Sequence, residues 1–215
     1  MSRTAARIAC AVLALAAGTA GAAPMGFKDS WMAMADLSPD WKEAWVNYAF
    51  TARDAVGAGA LHMRSEDGER KRDLLEANYT RLLHRWNLPE AQANAWLFVG
   101  LGGIRGNDFG GTRLAFAPGV QLDYETTRIY VAATGRLYRA DGINHDFASG
   151  RLGFSLYEVD YDEVQPWIVL EARRMRDLSE KTEITPLLRL VHKRFFAEAG
   201  VNNSRQARAS LMYVF

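Results

Sequence analysis

Along much of this chain apolar and polar residues alternate one by one, the spacing of a strand with two differently solvated faces. Leu114, Phe116, Val120, Leu122 and Tyr124 share one face of such a segment, and Arg113, Gln121 and Asp123 share the other. Ala44, Val46, Tyr48 and Phe50 oppose Glu43, Trp45 and Asn47 in the same way. Leu152, Phe154 and Leu156 oppose Arg151, Gly153 and Ser155, while Ile168, Leu170 and Ala172 oppose Glu171 and Arg173. Turn-forming breaks fall at 51–54, 66–71, 87–92, 106–111, 125–128, 141–146, 160–165, 178–182 and 200–205. Nine breaks predict about ten antiparallel strands; eight strands is the alternative count. Two segments also fit a helical stripe: Leu75, Tyr79, Leu82 and Trp86, and Leu187, Leu188, Val191 and Phe195. Were both helices, the chain would be a soluble α+β domain instead.

The last residues are Gln206-Ala207-Arg208-Ala209-Ser210-Leu211-Met212-Tyr213-Val214-Phe215. Leu211, Tyr213 and Phe215 lie on one face, and Gln206, Arg208 and Ser210 on the other. This pattern resembles the C-terminal assembly signal of bacterial outer-membrane β-barrels. The resemblance implies an all-β, antiparallel up-and-down transmembrane barrel whose last strand closes the sheet and engages the barrel-assembly machinery. Such a barrel needs segments of about 10 residues, apolar towards lipid and polar towards the lumen, with an even strand number placing both termini in the periplasm. Trp41, Trp86, Trp96, Tyr124, Tyr138, Trp167 and Phe215 fall near strand ends, where interfacial girdles sit.

The other end of the chain agrees with export. Arg3 and Arg7 precede a short apolar run at 8–17, and Ala20-Gly21-Ala22 supplies a small-x-small cleavage site. Residues 1–22 are therefore expected to be a signal peptide, 23–40 a periplasmic N-terminal segment, and 41–215 the barrel. Cleavage would remove Cys10, the single cysteine, so a disulfide framework or multi-cysteine metal site is excluded. Lys+Arg 26 against Asp+Glu 25 argues against a nucleic-acid partner, and 49% apolar content argues against disorder. No later stretch reaches the roughly 20 apolar residues of a membrane-spanning helix.

Candidate chemistry is sparse. The phases place Glu43, His62, Arg64, Glu76, Arg113, Asp123, Glu171, Arg173 and Arg208 towards the lumen, and both signs of charge predict paired plugging or a narrow pore. Asp123-Tyr124-Glu125 and Asp160-Tyr161-Asp162-Glu163 end strands expected to run outward, where they would form an acidic rim. Met32, Met34, His62 and Met63 offer thioether and imidazole ligands suited to Cu(I) or Ag(I). That segment resembles the Trp-plus-Met sites of periplasmic copper and silver chaperones, and outer-membrane proteins associated with metal efflux. The common hydrolase, zinc-protease and nucleotide motifs are absent. His84, His145 and His192 lack the His-x-Ser-Asn arrangement of lipid A deacylases. The expectation is a small non-enzymatic barrel in outer-membrane lipid, structural or a narrow passage without a cofactor. A periplasm-facing Cu(I)/Ag(I)-binding protein is the alternative, and a lipid-modifying enzyme a distant third.

Overall fold

The computed structural model describes residues 23–160 and 162–215. The leader assigned to 1–22 lies outside them. Twelve strands follow one another: β1 (Ser30–Leu37), β2 (Trp41–Ala49), β3 (Asp54–Arg64) and β4 (Lys71–Asn87). Next come β5 (Ala91–Gly106), β6 (Arg113–Thr126), β7 (Ile129–Ala140) and β8 (Ile143–Ser155). The last four are β9 (Gln165–Arg176), β10 (Glu183–His192), β11 (Phe195–Val201) and β12 (Ala207–Val214). Each pairs antiparallel with its sequence neighbours, and β1 pairs with β12 (Met34 opposite Met212), closing the barrel. Closure removes the unpaired edges that an open sheet presents.

The count is twelve, not about ten or eight, and neither helix-like segment is a helix. Two turns lie outside the nine breaks, the first within the segment expected to precede the barrel. Ser38-Pro39-Asp40 joins β1 to β2, so the barrel begins at Ser30 rather than at Trp41. The β10–β11 turn is only Lys193-Arg194, with Lys193 at φ 54°, in the middle of the second helix-like stripe. A turn without Gly, Asn, Asp or Pro gives no break to read. In the first stripe, β4 runs as a strand with a bulge between Leu82 and His84. That bulge shifts the alternation by one residue and mimics helical spacing. Arg81 does face outward, opposite Asp54, the first residue of β3, which it meets at 3.3 Å.

Outward positions form three bands. Leu75, Leu114, Val120, Leu152, Leu170 and Leu188 lie on the outer wall, Leu114 at 75% and Leu75 at 68% exposure. Large aliphatic side chains left this bare on one continuous face match a lipid-facing belt. At the end holding both termini (the terminal end), Trp31, Tyr48, Trp86, Tyr124, Tyr213 and Phe215 make an aromatic ring. At the opposite, distal end the outer wall carries Lys42, His62, Asp73 and Arg105, aligned across β2 to β5 by strand register. The expected girdle is corrected here: Trp41, Trp96, Tyr138 and Trp167 point into the lumen and are buried.

Candidate functional site

The lumen is packed at both ends and holds a cavity between. At the distal end Trp41, Leu61, Met63, Leu74, Ile104, Ile143 and Met175 form an apolar cluster, joined by Leu178 and Phe109 from the loops. At the terminal end the segment before β1 folds into the mouth. Met25, 5% exposed, packs on Ala49, Ala55, Leu82 and Trp96, and Asn47 donates from Nδ2 to the Pro24 carbonyl at 3.0 Å. Burying one such methionine stabilises by about 1.5–3 kcal/mol, enough to hold the segment inward.

Between these plugs runs a chain of ion pairs. Asp36 on β1 accepts from Arg208 on β12, with Nε at 3.1 Å. Arg208 also reaches Glu171 on β9 at 2.5 Å, and Glu171 meets Arg151 on β8 at 2.8 Å. Arg151 pairs further with Glu198 on β11, which accepts from Arg189 on β10 at 2.8 Å. Arg173 reaches Glu183 at 2.7 Å and Ser38 at 2.9 Å. Arg208, Arg151 and Arg173 thus each meet two carboxylates, and Arg189 meets Glu198 alone; the pairing offsets the desolvation that isolated charges suffer here. A second group stands across the lumen: Arg136 on β7 pairs with Glu76 on β4 and lies 3.6 Å from Glu43 on β2.

Glycines make room for that second group. A Cβ on Gly100 would lie 2.1 Å from Glu76 Oε2 and 2.8 Å from Arg136 Nη2, so only glycine lets the pair lie over β5. The resulting cavity is about 190 Å³, bounded by Met34, Trp45, Phe98, Phe196 and Met212 on its apolar side. Its polar side carries the Arg136 group, Asn47, Asn78 and part of the ion-pair chain. A vestibule of about 140 Å³ opens at the distal end, lined by Asp40, Arg64, Glu66, Lys181 and Glu183 among others. Trp41 and Phe147 border both spaces, stacked with centroids 5.0 Å apart, and Tyr138 meets Trp41 edge-on at 6.3 Å.

Of the lumen charges expected from sequence, Glu43, Glu76, Arg113, Asp123, Glu171, Arg173 and Arg208 do face inward. His62 and Arg64 do not. They share the outward parity of β3; His62 meets Asp73 at 2.7 Å, and Arg64 meets Asp40 at 2.7 Å at the rim. The wrong phase came from taking His62 and Arg64 as the polar face, whereas Leu61 and Met63 fill the packed distal lumen. Arg113 sits at the distal mouth over the Phe109 ring at 4.0 Å. Asp123 accepts from Asn94 at 2.6 Å and Trp96 at 2.7 Å inside the terminal end of the lumen. With Glu125, Asp160, Asp162 and Glu163 it stands on the same end as the termini, so the expected outward acidic rim is misplaced. Arg151 lies on the polar face that alternation assigns it; the missed contributors, Asp36, Arg136, Arg189 and Glu198, share the inward parity of their strands, and alternation alone could have found them.

The expected copper ligands are not brought together. Met32 is buried with Phe196 and Met212 at the terminal end, whereas Met63 belongs to the distal cluster. His62 and Met63 are adjacent on one strand and therefore point to opposite sides of the wall. This ligand set does not fit a soft metal ion. The histidines are dispersed too: His84 packs outside on Trp86 at 4.4 Å, His145 is buried inside, and His192 lies by the terminal-end loop. Leu211, Tyr213 and Phe215 all face outward, the last two stacked at 5.8 Å.

The distal loops are pinned by local acids. Arg72 on β4 donates to Asp108 from Nη2 at 2.8 Å, which holds the Asp108 carboxyl below its ordinary range. Asp67 is lowered by the Ser65 hydroxyl and the Glu69 amide in the β3–β4 loop.

The class is therefore a closed, up-and-down antiparallel β-barrel with an apolar exterior and an ion-paired interior. The chain is similar to a KdgM porin, with 12% identity over 86% of this chain and 98% of that one, TM-score 0.48. It is likewise similar to a KdgM porin in complex with disordered oligogalacturonate, at 12% identity over 86% and 98%, TM-score 0.47. Pseudomonas aeruginosa OccK8 (OprE) matches at 9% identity over 81% of this chain and 57% of that one, TM-score 0.41. No protein-family model and no curated protein matches the sequence.

Proposed function

We propose that this chain is an outer-membrane barrel that admits small polar solutes or ions through a narrow lumen, without catalysing a reaction. The observation that carries the reading is the alignment of two spaces, vestibule and central cavity, on either side of the Trp41–Phe147 stack. A lumen built only to fill space would not leave a polar cavity behind a two-ring partition. The aliphatic belt between an aromatic ring and a charged ring supports lipid as the surrounding medium. Rearrangement of the stack at one end and of the Met25 segment at the other would connect the two faces of the barrel. A purely structural role is favoured by a different observation, the unbroken chain from Asp36 to Arg189, which ties six consecutive strands (β8 to β12, then β1, through the closure) into a rigid wall on its own. Planar-bilayer recording separates the two. Passage predicts discrete, small current steps that change ion selectivity on Glu171→Gln; a structural barrel gives a flat trace.

A further inference from the structure

We propose that the central cavity is a binding site for a small organic ammonium ion, held beside the Glu43–Arg136–Glu76 group. Glu43, Glu76 and Arg136 place two carboxylates against one guanidinium, so one formal negative charge is left to be balanced there. Two buried oxygens beside them have no partner: Glu76 Oε2 and Asn47 Oδ1, on residues 7% and 2% exposed. Asn78 Oδ1 is unpartnered as well. The Asn47 amide is oriented by its Nδ2 bond to Pro24, which leaves its oxygen as the free acceptor. Leaving such acceptors dry is costly, so a donor-rich occupant is favoured.

Strand register gathers these groups. Asn47 stands opposite Gly57 and Gly57 opposite Asn78; Trp45 stands opposite Gly59 and Gly59 opposite Glu76. A Cβ on Gly57 would lie 2.0 Å from the Val46 carbonyl oxygen, so glycine lets β2 approach closely there. A Cβ on Gly59 would come within 3.3 Å of Trp45 Cβ and 3.6 Å of Asn78 Nδ2, so those two side chains close over β3. The far wall is apolar and aromatic, with Trp45 and Phe98 bordering the same space. Carbonyl and carboxylate acceptors suit the N–H donors of an ammonium, and an aromatic ring attracts its charge while the apolar wall takes its alkyl part. A bare metal cation would leave that apolar wall unused. At about 190 Å³ the space is smaller than the roughly 300–1,000 Å³ of drug-sized pockets, so only a short amine fits.

The proposal rests on the passage reading for the route by which the ion enters. The test is titration calorimetry of the full chain, purified in detergent, with n-butylammonium chloride, beside bilayer recording of the same preparation. Saturable binding is expected, weakened about tenfold in Glu76→Gln by loss of one charge-assisted hydrogen bond. Asn78→Ala keeps every charge, removes one of the free acceptors lining the cavity and is expected to weaken binding too, which covers the case in which Glu76→Gln fails to fold. No saturable heat from a folded barrel, or equal affinity in Asn78→Ala, overturns the proposal, leaving water or a proton as the occupant. Displacement by potassium chloride at equal concentration also overturns it, in favour of a plain monovalent-ion site. Current without butylammonium binding defeats the ammonium site alone, whereas neither current nor binding defeats the passage reading with it.

Discussion

Trp41 on β2 and Phe147 on β8 stack across the lumen, 5.0 Å between ring centroids and 28° from parallel. The strands that carry them are not neighbours in the sheet, so the stack bridges the barrel and stands between vestibule and cavity. Shortening Phe147 to alanine is expected to join the two spaces. Single-channel recording checks this: Phe147→Ala raises conductance severalfold over the intact chain, at a stability cost of about 3 kcal/mol.

Glu171 accepts from two arginines, Arg208 and Arg151, and is 2% exposed. Glu171→Gln leaves both guanidinium groups short of a partner in a buried place, which costs about 3 kcal/mol or more. The temperature at which the folded band converts to the unfolded band on electrophoresis is expected to fall markedly. A change of Glu180, exposed on a distal loop, serves as the control and leaves it unmoved.

Acid acts on the distal loops through Asp108. Its carboxyl is held low by the Arg72 hydrogen bonds, so its stabilisation is full above the ordinary aspartate range and is lost as pH falls through the lower, folded-state value. Hydrogen exchange of the 107–112 amides is therefore expected to stay slow at mildly acidic pH and to accelerate only below the usual carboxylate range. Asp108→Asn removes the pairing at every pH, at about 1 kcal/mol because the group is half exposed and screened.

The outward face of β12 ends in Tyr213 and Phe215, and the Phe215 amide donates to the Trp31 carbonyl at 2.9 Å across the closing seam. Deleting Phe215 removes both that bond and one ring of the terminal aromatic band. The expected outcome is reduced accumulation in the outer-membrane fraction, measured by immunoblot against the intact chain.

Alternation made the barrel class readable, because in β6, β8 and β9 the two faces meet different surroundings throughout. It failed where both faces are apolar or where the pleat is interrupted. Around Leu61 and Met63 the lumen itself is packed with hydrophobic side chains, so the parity of β3 was inverted and His62 was assigned to the wrong side. The β4 bulge and the Lys193-Arg194 turn disguised strands as helical stripes. Large aromatics were equally ambiguous: Trp41 and Trp96 sit near strand ends, yet they plug the lumen rather than ring the membrane. The pairing of Arg136 with Glu76 over Gly100 joins residues far apart in sequence and could be found only once the strands were in register.

Everything above rests on a barrel embedded in lipid. The most direct measurement is outer-membrane fractionation of cells expressing the full chain, followed by electrophoresis of boiled and unboiled samples. The account predicts an outer-membrane band that runs differently before and after boiling. A soluble periplasmic band with no heat-dependent shift would contradict it.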